Sequence, residues 1–104
     1  MEEQYMNITT QREGSALTVF PEGRIDTLTA PAFEQCLEAE LGDADRLLID
    51  FSKVNYISSA GLRVLLTYAQ EMEERGGSIQ AVGVNDTLRK VFSLTGFLET
   101  LNID

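Results

Sequence analysis

Apolar and polar positions change their period several times along this chain, and each change marks an element. The stretch NITTQREGSALTVFPE carries two β-leaning runs, Asn7–Arg12 and Ala16–Glu22, around a turn at Glu13-Gly14-Ser15. This predicts a hairpin, with Arg24–Asp26 continuing as a short strand after Glu22-Gly23. TLTAPAFEQCLEAELGD predicts a helix: Thr29 stands at the cap, and Pro31 lies in the first turn, where its missing N–H costs nothing. Ala32, Phe33, Cys36, Leu37 and Leu41 form its apolar face, and Gly42 stops it. RLLIDF, at 46–51, is a continuous apolar run with Asp50 near its end, the pattern of a strand covered on both faces or nearly so. Ser52–Ile57 reads as a loop.

From Ser59 to Arg75 the period is helical. Leu62, Leu65, Leu66, Ala69 and Met72 share one stripe that reads as core, and Arg63, Gln70, Glu73 and Glu74 take the rest. Gly76-Gly77 ends it. SIQAVGV, at 78–84, predicts another strand, and NDTLRKVFSLTG a short helix capped by Asn85 or Asp86. Leu88, Val91 and Phe92 face inward there, and Gly96 is the stop. FLETLNI predicts a last short strand. The order is β-β-(β)-α-β-α-β-α-(β), an α/β fold in which strand–helix–strand units pair in parallel and the hairpin adds an antiparallel element. A mixed sheet of 4–5 strands with helices packed against it is expected, as one domain over 1–104.

Composition then narrows the chemistry. The sequence has no histidine, which excludes Ser–His–Asp and Cys–His nucleophile pairs; with only Cys36 besides, the usual zinc sites are excluded too. Neither G-x-x-x-x-G-K-[ST] nor G-x-G-x-x-G occurs, so no standard nucleotide cradle is present. A net charge of −9 without a basic cluster argues against nucleic acid and favours a basic protein partner. The start, MEEQYMNITT, is acidic and lacks the pattern of a secretion signal, and no apolar run is long enough to span a bilayer. The expectation is a cytoplasmic, monomeric protein that is not an enzyme, needs no cofactor or metal, and does not contact the membrane directly.

One junction stands apart. In YISSAGLRVLL, at 56–66, Ser58 and Ser59 sit where a strand gives way to a helix, a place where ligands collect in α/β folds. A serine there is a helix cap, or a hydroxyl whose phosphorylated form the helix start would tolerate. Local chemistry leaves both open. Asp26 should lie near the same end of the sheet, as a turn carboxylate or a partner contact. Asp50 is placed to hydrogen-bond the loop before Ser59, and Cys36 reads as a small buried hydrophobe.

LLIDFSKVNYISSAGLRVLL resembles the signature of the STAS domain, the fold of bacterial anti-sigma factor antagonists. GRIDTLTAPAFEQCL resembles the family's entry to its first helix, and VNDTLRKVFSLTGFLETLNI its C-terminal end. The resemblance implies partner switching. An unmodified antagonist binds an anti-sigma factor that is also a serine kinase, freeing a sigma factor; phosphorylation of one serine breaks the complex, and a PP2C-type serine phosphatase resets it. The family pattern commonly reads Asp-Ser-Ser/Thr-Gly-Leu. Setting its Gly-Leu on Gly61-Leu62 puts the acceptor on Ser59, ahead of Ser58, which stands where the Asp often is. The implied partner-binding set is Asp26, Ser58, Ser59, Gly61 and Arg63. An alternative within the same family is an unphosphorylated STAS subunit of a transporter complex.

Overall fold

A computed structural model describes residues 6–103; the acidic start at 1–5 lies outside the described residues. The hairpin forms as β1 (Ile8–Glu13) and β2 (Ala16–Pro21), paired antiparallel with Glu13 opposite Ala16. β2 pairs in parallel with β4 (Arg46–Asp50), and β4 with β6 (Ser78–Val82), giving a four-stranded sheet of order β1-β2-β4-β6. Register aligns Leu17, Leu47 and Ile79 in one row and Val19, Ile49 and Ala81 in the next. All six are buried, because alternate side chains point to one face and that face carries the helices. Thr18, Phe20, Leu48, Gln80 and Val82 point the other way and are half-buried. β4 is thus fully buried on one face and half-buried on the other.

α1 (Ala30–Glu40) packs on β1, β2 and α2 (Ser59–Glu74), and α2 packs on β5 (Val54–Ile57) and β6. α3 (Asp86–Thr95) lies on β5, with Leu88 and Phe92 joining the same core. Phe92 meets Phe51 edge to face, with ring centroids 5.7 Å apart. α1 is held at its end by two arginines from elsewhere in the chain. Arg12 Nη2 donates to the carbonyls of Glu40 and Leu41, and Arg75 Nη1 to those of Gly42 and Ala44, all at 2.9 Å. The carbonyls of Glu40 and Leu41 are ones that a helix end leaves without intrahelical partners, and those of Gly42 and Ala44 belong to the turn that follows. Arg75 also binds Glu71, with its Nη2 2.7 Å from Oε2. Gly77 is required just beyond, since a Cβ there would run into the Asp45 carbonyl oxygen.

Four expectations change. The segment read as a loop contains β5 (Val54–Ile57), which pairs in parallel with β3 (Gly23–Ile25) as a separate two-stranded sheet. FLETLNI is mostly not a strand: α4 (Phe97–Thr100) comes first, and only Ile103 bridges to Ala81. Leu66 is exposed, since the buried stripe of α2 runs through Gly61, Val64, Leu65, Tyr68, Ala69 and Met72. Cys36 is half-buried, and burial with Glu40 nearby pushes its thiol pKa up, which keeps it protonated.

Candidate functional site

β3 and β5 deliver two chain segments to the same place. The parallel pairing of Ile25 with Ile57 continues one residue further, where Ser58 N donates to Ile25 O at 2.8 Å. Ser58 is the N-cap of α2, extended at φ −98°, ψ 177°, and its carbonyl accepts from Leu62 N at 2.9 Å. Its hydroxyl does not cap. Ser58 Oγ is buried and has no hydrogen-bond partner among the described residues, whereas Ser59, the first helical residue, is exposed. The two adjacent hydroxyls therefore differ sharply in access.

Gly61 explains how the helix can start here. A Cβ on it would stand 2.7 Å from both Ile25 Cγ2 and Ile57 Cγ1, so only glycine lets this turn rest on the small sheet. Gly61, implied by the resemblance as a partner contact, is buried, and the close approach at it is made by the chain's own isoleucines.

The parallel junction, from β3 into α1, is organised by Asp26. Its Oδ1 accepts from Leu28 N at 3.0 Å and Thr29 N at 3.1 Å, and its backbone carbonyl accepts from Ala30 N at 2.8 Å. Thr29 occupies the cap position but makes no capping bond to the helix; its hydroxyl donates to Arg24 O at 2.7 Å and accepts from Asp26 N at 2.9 Å. Partial desolvation is the largest single influence on Asp26 and raises its pKa. The N–H groups of Thr29 and Leu28, the Thr29 hydroxyl and Arg24 together outweigh it, so the carboxyl ends below its ordinary value. Asp26 also pairs with Arg24, whose Nε lies 3.6 Å from Oδ2.

Arg24 and Tyr56 were not singled out by sequence. They are paired in the β3–β5 register, and the Arg24 guanidinium lies 4.2 Å from the Tyr56 ring centroid. Tyr56 is 40% exposed and Leu28, in the Asp26 turn, 59%. Nothing local in the sequence marks Tyr56 or Leu28: VNYI does not alternate, with Val54 and Ile57 buried and Asn55 and Tyr56 exposed. Arg63 is exposed on α2 and lines a groove of about 220 Å³ between the starts of α1 and α2, with Thr27, Pro31, Glu34 and Ala60. Asp50 lies further back, its Oδ1 accepting from Ser52 N at 2.8 Å at the turn that leads into β5. Asn85 caps α3 by accepting from Leu88 N at 2.8 Å and donates to Val54 O at 3.2 Å, tying α3 to β5.

Residues 8–102 match the family model described as Mlab, STAS domain. The chain belongs to the STAS domain family. An anti-sigma-B factor antagonist of Listeria monocytogenes is 29% identical over 102 residues, covering 94% of this chain and 90% of its own. The crystal structure of an anti-sigma factor antagonist from Mycobacterium paratuberculosis superposes with a TM-score of 0.84 at 28% identity, over 94% of this STAS chain and 84% of that one. The Bacillus cell fate determinant SpoIIAA in its phosphorylated form shares the fold, with a TM-score of 0.74 at 16% identity over 94% and 91% of the two chains. Among the described residues, no helix is long and apolar enough to cross a membrane.

Proposed function

We propose that this STAS domain is an anti-sigma factor antagonist switched by phosphorylation of Ser59. Unmodified, it docks the end carrying Asp26, Leu28, Tyr56, Ser59 and Arg63 on an anti-sigma factor that is also a serine kinase, and a sigma factor is freed. Ser58 and Gly61 serve this surface from beneath, by setting the first turn of α2. The kinase transfers the γ-phosphoryl group of a nucleoside triphosphate to Ser59 Oγ. The P–Oγ bond forms as the bond to the departing nucleoside diphosphate breaks, and the hydroxyl proton passes to a base of the kinase. A PP2C-type serine phosphatase adds water to phosphorus and returns serine and inorganic phosphate.

The observation that carries this reading is the difference between the two hydroxyls: Ser59 is exposed and Ser58 Oγ is buried. The names of the Listeria and Mycobacterium relatives support the class of partner. A dianion set into a desolvated interface needs to cost only about 1.4 kcal/mol to weaken binding tenfold, so no refolding is required. Incubated with its cognate kinase and ATP, the wild-type chain is expected to carry phosphate on Ser59 and the Ser59→Ala variant none. Ser59→Ala keeps partner binding, and Ser59→Asp loses tenfold or more by about this charge argument. Phosphate mapped to Ser58 or elsewhere overturns the assignment.

A further inference from the structure

Among the described residues, two cations of the small sheet and its loops have partners and Arg63 on α2 does not. Arg24 lies on Tyr56 and beside Asp26, and Lys53 Nζ is 3.9 Å from Glu22 Oε2. Arg63 makes no ion pair and no side-chain hydrogen bond among the described residues, although Glu34 of α1 lines the same groove. It is exposed and stands four residues after Ser59 on the same helix. Residues at i and i+4 share a helix face, and helical side chains lean back toward the N-terminus. That spacing puts Arg63 one turn along the same face, within reach of a group carried on Ser59. An acid placed four residues before a base is also the more favourable order of such a pair.

We propose that Arg63 is the intramolecular clamp for a phosphoryl group on Ser59. This rests on the proposed modification of Ser59 and adds what the modification does to this chain. Two guanidinium N–H groups face two phosphate oxygens, a geometry an ammonium or a carboxamide does not reproduce. The clamp has two effects. It holds the first turn of α2 together, so phosphorylation tightens this end of the domain instead of melting it. It also withdraws a cation from the docking surface as the dianion arrives, so a partner loses an attractive charge and meets a repulsive one in one step. The other charged groups at this end are Glu34 on α1, Asp26 after β3 and Arg24 on β3; the two carboxylates cannot take the clamp's place, and Arg24 is already held on the Tyr56 ring and beside Asp26.

The test uses full-length chain with phosphoserine installed at position 59 by genetic encoding, and no kinase. The second ionisation of the phosphate is followed by ³¹P NMR in wild type, Arg63→Lys and Arg63→Ala. The wild-type midpoint is expected roughly 0.3–0.6 unit below that of Arg63→Ala, with Arg63→Lys between, and the gap should close at 1 M salt. Equal midpoints in the three proteins overturn the clamp. Because phosphoserine is built in, a kinase that ignores Ser59 would sink the proposed function without touching this result, and equal midpoints would sink the clamp alone.

Discussion

The two ends of the α1–α2 pair use their polar groups in opposite ways. At the helix ends, Arg12 and Arg75 donate to the carbonyls of Glu40, Leu41, Gly42 and Ala44, and Arg75 is further fixed by Glu71. At the helix starts, Ser59 and Arg63 are exposed and have no side-chain partner among the described residues, Ser58 Oγ is unbonded among them too, and Leu28 and Tyr56 are exposed. A closed end that satisfies itself contributes stability. An open end with unspent donors and apolar area is where a second molecule has something to gain.

The largest expected effect tests whether the closed end carries the stability. Gly77→Ala sets a Cβ against the Asp45 carbonyl, where backbone meets backbone, and should cost about 3 kcal/mol; Gly61→Ala presses only on isoleucine side chains and should cost about 1–2 kcal/mol. Urea midpoints of the two variants give the order. Next, Arg75→Ala should lose about 1–2 kcal/mol of stability with partner affinity unchanged. Arg63→Ala, at the open end, should leave the unmodified protein's stability within about 0.5 kcal/mol. If the two arginine variants unfold alike, the division of labour between the ends is wrong.

Third, Leu28→Ala should weaken partner binding about tenfold, or about 1.4 kcal/mol, with stability unchanged. Leu94, 81% exposed on the last turn of α3, is the control: its alanine variant should bind normally, because exposure alone does not make a contact. Calorimetric titration with the partner separates them. Fourth, Ser58→Ala should change stability by less than about 0.5 kcal/mol, since it removes a buried hydroxyl that bonds nothing; a working cap would cost about 1 kcal/mol to lose.

The smallest effect concerns acid. Asp26 has a folded pKa below its unfolded value, so its contribution is complete above the ordinary carboxylate value of about 3.9 and is lost as the pH falls through the folded pKa. Asp26→Asn should remove that part of the acid dependence of stability, measured by thermal melting between about pH 5 and pH 2.

Long periodic segments were legible in the sequence, and non-local pairings were not. β1, β2, β4, β6 and the three longer helices follow from period and stop signals close to their observed bounds. β5 was missed because its burial does not alternate, with Val54 and Ile57 buried and Asn55 and Tyr56 exposed. Its partner β3 is also some thirty residues away. Leu66 departs from the stripe that its leucine neighbours suggest, because Val64 and Tyr68 face the core instead. The clamps of Arg12 and Arg75 span 28 to 33 residues and leave no local trace. At the site, the serine pair and Asp26 were visible in the chain. The buried state of Ser58 Oγ and the Arg24–Tyr56 contact needed the fold.

The short C-terminal tail has a consequence for how copies of this chain meet one another. β6 borders the sheet, and an unpaired border strand is a template on which a foreign strand can grow. Here the Asn102 side chain donates to the Ile79 carbonyl at 3.1 Å, and Ile103 bridges Ala81. Two residues thus occupy part of the border in place of a whole strand. The opposite border, β1, presents Thr9, Thr10, Gln11, Arg12 and Glu13, a polar and charged run poorly suited to seeding a fibril. The sheet is blunted on both flanks, so filaments grown by strand addition are disfavoured.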